Sequence, residues 1–176
     1  MASILNVDKV RATGSTTDGF TVNSNGSVSP GNLPCWDVWE NGQQNSVQSN
    51  FVVNFSETRF IHDATLSNNR ITPAVAGVYW VVTTIRIDSL NAYNNSFLHL
   101  LKNGSIHQRG VEFVPSSSNA TYPKLYMLQS SFLVEVNGSS DYLQIGGTIG
   151  GGNNHNIGYN DIRFANHFQG FLVRAA

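Results

Sequence analysis

The groups in this chain that could carry chemistry are few: five histidines, eleven carboxylates and a single cysteine. His62, His99, His107, His155 and His167 show no HxH, HxxxH or HExxH spacing, so the chain contains no zinc-type ligand set along its length. The carboxylates are scattered, and no pair falls on a common strand face as acid–base catalysis requires. There is no GxSxG elbow and no lysine-bearing phosphate loop. The run Gly146 to Gly152 has the glycine content of a phosphate cradle, but it lacks lysine and a following helix and reads as a mobile loop. Beside it, Asn153, Asn154, His155 and Asn156 offer neutral hydrogen-bonding groups, a candidate receptor loop for a sugar or a protein. Cys35 is alone, which excludes an internal disulfide, and it reads as a small buried hydrophobe. The expectation is a protein with no catalytic residues, no metal and no cofactor.

Composition points the same way. Hydrophobic residues make up 40% of the chain, enough for one core, while charged residues make up 12%, about half the usual share. Asn, Ser, Thr and Gly fill the surface in their place. The net charge is −1 with no run of Lys or Arg, so neither a nucleic acid nor an anionic membrane is an expected partner. No apolar run approaches the roughly 20 residues that span a bilayer. The opening MASILNVDKVRATG lacks the features of a secretory signal, which implies a product made in the cytoplasm.

The elements that must position these residues are strands. The organising stretch is Ile71 to Asp88, with a turn signal at Thr72-Pro73 and a break at Gly77. From Val78 onward it is β-branched and aromatic, which favours a strand. Val78, Trp80 and Val82 share one face, and Tyr79, Val81, Ile85 and Ile87 the other. A strand with one wet face alternates apolar and polar, whereas this one is apolar on both sides. A second sheet can cover one face, and a neighbouring subunit is the simplest cover for the other, the alternative being a central strand covered twice by its own chain. Further strands are expected at Cys35–Trp39, Phe51–Phe55, Phe60–Leu66, Ser96–Lys102, Ile106–Val114, Tyr126–Val136, Tyr142–Ile145 and Phe164–Val173. Turns are expected at Asn41-Gly42, Asn68-Asn69, Asn103-Gly104 and Asn137-Gly138. Short strands at this spacing, without helical periodicity, predict a sandwich or barrel.

Residues 1–32 differ from the rest. Ile4, Leu5, Val7 and Val10 form an apolar strip, and Phe20-Thr21-Val22 is a short strand turning at Asn23–Gly26 and returning through Ser27-Val28. So small a piece cannot bury a core of its own. It reads as an attachment arm, with Pro30-Gly31 and Pro34 marking its boundary with a main domain over residues 33–176.

Four pieces, in order, resemble one family. AGVYWV at Ala76–Val81, LLKNG at Leu100–Gly104, FLVEVNGSSDYLQI at Phe132–Ile145 and HFQGFLV at His167–Val173 resemble the complement globular-head and tumour necrosis factor (TNF) superfamily. The resemblance spans about Leu33 to Ala176. It departs from the family in lacking a collagen stalk and in its NGSSD turn. It implies an all-β, ten-stranded TNF-like jelly-roll sandwich that assembles as a homotrimer. It also implies that Tyr79, Phe168, Gly170 and Phe171 belong to the framework, so that with Val78 and Trp80 they form the fold and trimer core. On that reading Phe171 is a fully buried aromatic. The opening LNVDKV…TG…FTVNSNGSV looks like the start of small phage structural proteins, where such a segment docks a trimeric head onto a particle.

The first functional expectation is therefore a bacteriophage virion protein, a trimeric capsid decoration or cement protein on the capsid surface. Its partner would be the major capsid protein, held through the arm residues Ile4, Leu5, Val7, Val10, Phe20 and Val22. The alternative is the receptor-binding knob of a tail or head fibre, with a fibre adaptor or host-surface receptor as partner. A secreted ligand of the TNF or complement kind stands behind both.

Overall fold

The computed structural model describes residues 9–10, 20–22, 24, 28–30, 33–47, 50–89, 95–114, 125–150, 155–158 and 166–176. The chain falls into two compact units, Met1–Leu33 and Pro34–Ala176. In the first, β1 (Lys9–Val10), β2 (Phe20–Val22) and β3 (Val28–Pro30) pair antiparallel in that order. Val22 lies opposite Val28, so β2 and β3 pair as the expected antiparallel neighbours.

The second unit contains β4 (Cys35–Trp39), β5 (Gln43–Val47), β6 (Asn50–Val52), β7 (Glu57–His62), β8 (Ala64–Ser67) and β9 (Arg70–Pro73). It continues with β10 (Ala76–Ser89), β11 (Ser96–Lys102), β12 (Ser105–Phe113), β13 (Leu125–Asn137), β14 (Leu143–Ile149), β15 (His155–Gly158) and β16 (His167–Ala175). They form two antiparallel sheets. The first runs β5-β15-β10-β16-β4-β7 with β13 along the other side of β10, and the second runs β12-β11-β14-β9-β8 with β6 also on β14. Among the described residues these sheets hold seven and six strands, against the ten expected.

The core lies between the sheets and follows the alternation along each strand. Tyr79, Val81, Ile85 and Ile87 point inward from β10, and Phe132, Val134 and Val136 from β13. Leu98 and Leu100 on β11 and Leu143, Ile145 and Ile149 on β14 meet them from the second sheet. An aromatic cluster closes one part of this core: the Trp36 ring lies 5.6 Å from both Tyr79 and Phe168, and Phe55 lies 5.7 Å from Phe168. Gly170 makes room for it, since a Cβ there would sit 2.2 Å from the Trp36 ring. Phe51, Val53 and Phe55 share the buried side, as their alternation predicts. Asn68, Asn69, Asn103 and Gly104 all have positive φ, the left-handed backbone of tight hairpin turns.

Three expectations change. Thr72-Pro73 lies in a strand rather than at a turn: Arg70–Pro73 pairs with β8 in the second sheet, while the strand expected from Val78 runs over Ala76–Ser89 in the first. Pro73 closes β9 instead of opening a turn. Gly146 to Ile149 is not loop. It is strand β14, bonded to β11 on one side and β6 on the other, where Gly146 and Gly147 let Phe51 and Leu101 come close. Cys35 is half-buried rather than buried.

Candidate interaction face

Strand β10 is central to the site. It pairs with β13 over its whole length on one side and with β16 on the other. Trp80 lies opposite Leu133 of β13 and Phe171 of β16, so three large apolar residues form one row across three adjacent strands. All three point away from the core and stay in the open: Trp80 is 44% exposed, Leu133 58% and Phe171 49%. The Trp80 and Phe171 rings stack with centroids 6.4 Å apart and planes 12° from parallel. Half-buried Val78 and Val82 flank Trp80 along β10, and exposed Met127 and Val173 extend the apolar surface. Beside Trp80 and Leu133 lies a cavity of about 310 Å³, which Ser131, Phe132 and Gln108 complete.

The placement of the expected core residues divides in two. Tyr79 and Phe168 are buried inside the sandwich. The Tyr79 hydroxyl donates to the Val75 carbonyl at 2.9 Å, and burial, with Asp63 nearby, pushes its phenol up to about 12. Gly170 packs beneath Trp36. Val78, Trp80 and Phe171 occupy the opposite face. Phe171 is therefore not a buried framework residue of the single chain: β16 alternates, and its inward positions are taken by Phe168, Gly170 and Leu172.

The candidate receptor loop is likewise corrected. His155 and Asn156 belong to strand β15, where His155 is 0% exposed. The Asn156 side-chain oxygen accepts the Ser46 backbone N–H at 3.2 Å, so it is engaged within the sheet. Asn153 and Asn154 lie outside the described residues, as do Ile4, Leu5 and Val7 of the arm. Val10, Phe20 and Val22 lie on β1 and β2.

Leu133 and Met127 were missed by sequence reasoning although their signal was present. In β13 the inward series Leu128, Phe132, Val134, Val136 is complete, so any apolar residue between them must face outward. Several polar groups among the described residues form local networks. Asp37, buried on the outward side of β4, accepts from His167 Nδ1 at 3.1 Å and pairs with Arg59 at 3.4 Å. Glu40 is buried against Asn166, whose amide donates to its carboxylate, and burial lifts the acid to about 7. Asp141 accepts from the Asn103 amide at 2.8 Å and pairs with Lys102 at 2.9 Å, which ties two hairpin turns together and holds its carboxyl below the usual range. Among the described residues no three His, Cys, Asp or Glu side chains group to hold a metal.

No family model matches the chain, and no curated protein matches it. Among solved structures it is similar to the Eiger TNF from S. frugiperda, at 15% identity and a TM-score of 0.58, over 82% of this chain and 94% of that one. At that identity the likeness shows the fold alone, a TNF-like jelly roll.

Proposed function

We propose that this chain is a structural, non-catalytic virion protein, a trimeric capsid decoration protein. Its jelly roll forms a surface knob and its N-terminal unit grips the shell. The observation that carries the reading is the exposed row Leu133–Trp80–Phe171. Three large apolar side chains in line on one sheet face are costly to leave in water, and each contributes on the order of 1.5–3 kcal/mol when covered. A threefold ring of identical subunits covers such a face on every copy and then closes, which limits growth. The separate three-stranded unit at the N-terminus is too small to bury a core and suits an attachment role.

Two measurements test this. Light scattering at micromolar concentration should give the mass of three chains, and a monomer would sink the assembly. Copy number in purified particles should follow shell symmetry, with hundreds of copies. A few tens would move the protein to a tail or head fibre, and its absence would leave a ligand of the TNF kind as the better reading. Deleting residues 1–30 should spare the trimer and abolish particle binding.

A further inference from the structure

Two charged side chains frame the apolar row, and their placement says how a second copy would meet it. Resting on the trimer reading above, we infer that Glu135 of one subunit pairs with Arg174 of the next around the ring. Glu135 on β13 and Arg174 on β16 are both in register with Val78, one on each side. They therefore flank β10 on the outward face, two strand spacings or roughly 10 Å apart. Both are exposed, and among the described residues neither makes an ion pair. The Lys102 ammonium beside Glu135 donates to its backbone carbonyl and pairs with Asp141 instead.

Simple alternation would not put Arg174 there. A bulge in the β10–β16 ladder between Val78 and Tyr79 sets Leu172 opposite Tyr79 and Arg174 opposite Val78, leaving Val173 over. Without it, Val173 would share the row and Arg174 would shift out of line. Gly77 permits the distortion: its φ is +153° and a Cβ would lie 2.2 Å from the Arg174 carbonyl oxygen. A ring built from identical subunits needs two different edges on each copy. An acid on the β13 flank and a base on the β16 flank of one apolar face supply them. In the wrong register, like charges meet at the rim of a drying interface, so the pair sets direction as well as affinity.

The test uses charge reversal in the full-length chain, read by sedimentation across a dilution series. E135R and R174E should each raise the dissociation constant roughly tenfold or more, and the double variant E135R/R174E should recover most of the loss. Added salt should weaken the wild-type trimer and relieve the single variants. Mixing the two single variants adds a parity check. One carries two bases and the other two acids, so a three-membered ring always keeps at least one like-charge contact. The mixture should therefore remain weaker than the double variant. Full recovery in the mixture would point to an even-numbered assembly and overturn the threefold ring on which the proposal rests, while keeping the contact between the two positions. A trimer indifferent to both reversals, or a double variant no better than either single, would also overturn it while leaving the trimer reading in place. A monomeric wild-type chain would overturn both. Thermal unfolding of each variant separates these outcomes from misfolding, since both residues lie on the surface of the single chain.

Discussion

The two sheets of the jelly roll treat their outward faces differently. On the second sheet, Phe97, His99 and Leu101 point outward from β11 and are covered by their own chain. The Arg109 guanidinium lies 5.3 Å from the Phe97 ring centroid, and His99 packs edge-on against the same ring at 5.1 Å. His99 Nε2 meets the Thr148 hydroxyl at 3.2 Å, and that hydroxyl donates to Asn50 at 2.8 Å. Val52 and Ile106 line the same surface beside Leu101. On the first sheet, Leu133, Trp80 and Phe171 stay 58%, 44% and 49% exposed despite their neighbours Val78, Val82 and Gln108. An outward apolar residue therefore does not by itself mark an interface. What sets the row on the first sheet apart is that its three large side chains remain about half exposed.

The two faces of β16 should differ most in the core beneath the apolar row. Phe168→Ala removes a ring held between Trp36 and Phe55 and should cost about 3–5 kcal/mol of unfolding free energy in urea. Phe171→Ala, three residues on, should cost the monomer well under half as much and act on assembly instead. Equal costs would mean that the two faces of β16 are not distinct.

Next in size is Glu40. Its acid is raised from an ordinary 4.5 to about 7 by burial, so the folded chain holds a proton that the unfolded chain releases. The stability that proton contributes is full below about 4.5 and is lost as the pH rises to 7, a change of about 3 kcal/mol. Glu40→Gln should flatten that fall in a pH series of urea melts. Because Glu40 lies off the apolar row, its trimer dissociation constant should not move.

Trp80→Ala should do the reverse, weakening association by about 2 kcal/mol per contact with little change in the unfolding of the monomer. Sedimentation and urea melts on the same sample would separate the two effects. The smallest expected effect is on the covered face. His99→Leu removes one hydrogen bond to Thr148 and should cost about 1 kcal/mol without altering assembly. Burial, then Arg109, hold the His99 imidazole below its ordinary value. The folded state thus binds fewer protons than the unfolded one as the pH drops through 6.5, and stability falls with it. The Leu variant should lose that acid-side slope, opposite in sign to the Glu40 slope.

Local chemistry in the sequence determined the strand class, most turns and the inward series. Asn68-Asn69 and Asn103-Gly104 adopt the left-handed backbone that Asn and Gly tolerate, and Tyr79, Val81, Ile85 and Ile87 cannot all face water. The two-faced character of β10 was legible for the same reason, because period-two alternation is a property of the strand itself. Tertiary structure decided everything that depends on which strand lies next to which. Gly146 and Gly147 read as loop because glycine favours turns, but here their missing Cβ atoms are what let Phe51 and Leu101 approach β14. His155 reads as an exposed loop residue, yet pairing of β15 between β5 and β10 buries it. Phe171 reads as core, yet its face is set by alternation from Phe168 and Gly170, and its row by ladder registers with Trp80 and Leu133. Registers are fixed by bulges and by long-range packing between residues distant in sequence, and no local pattern in the chain encodes those distances.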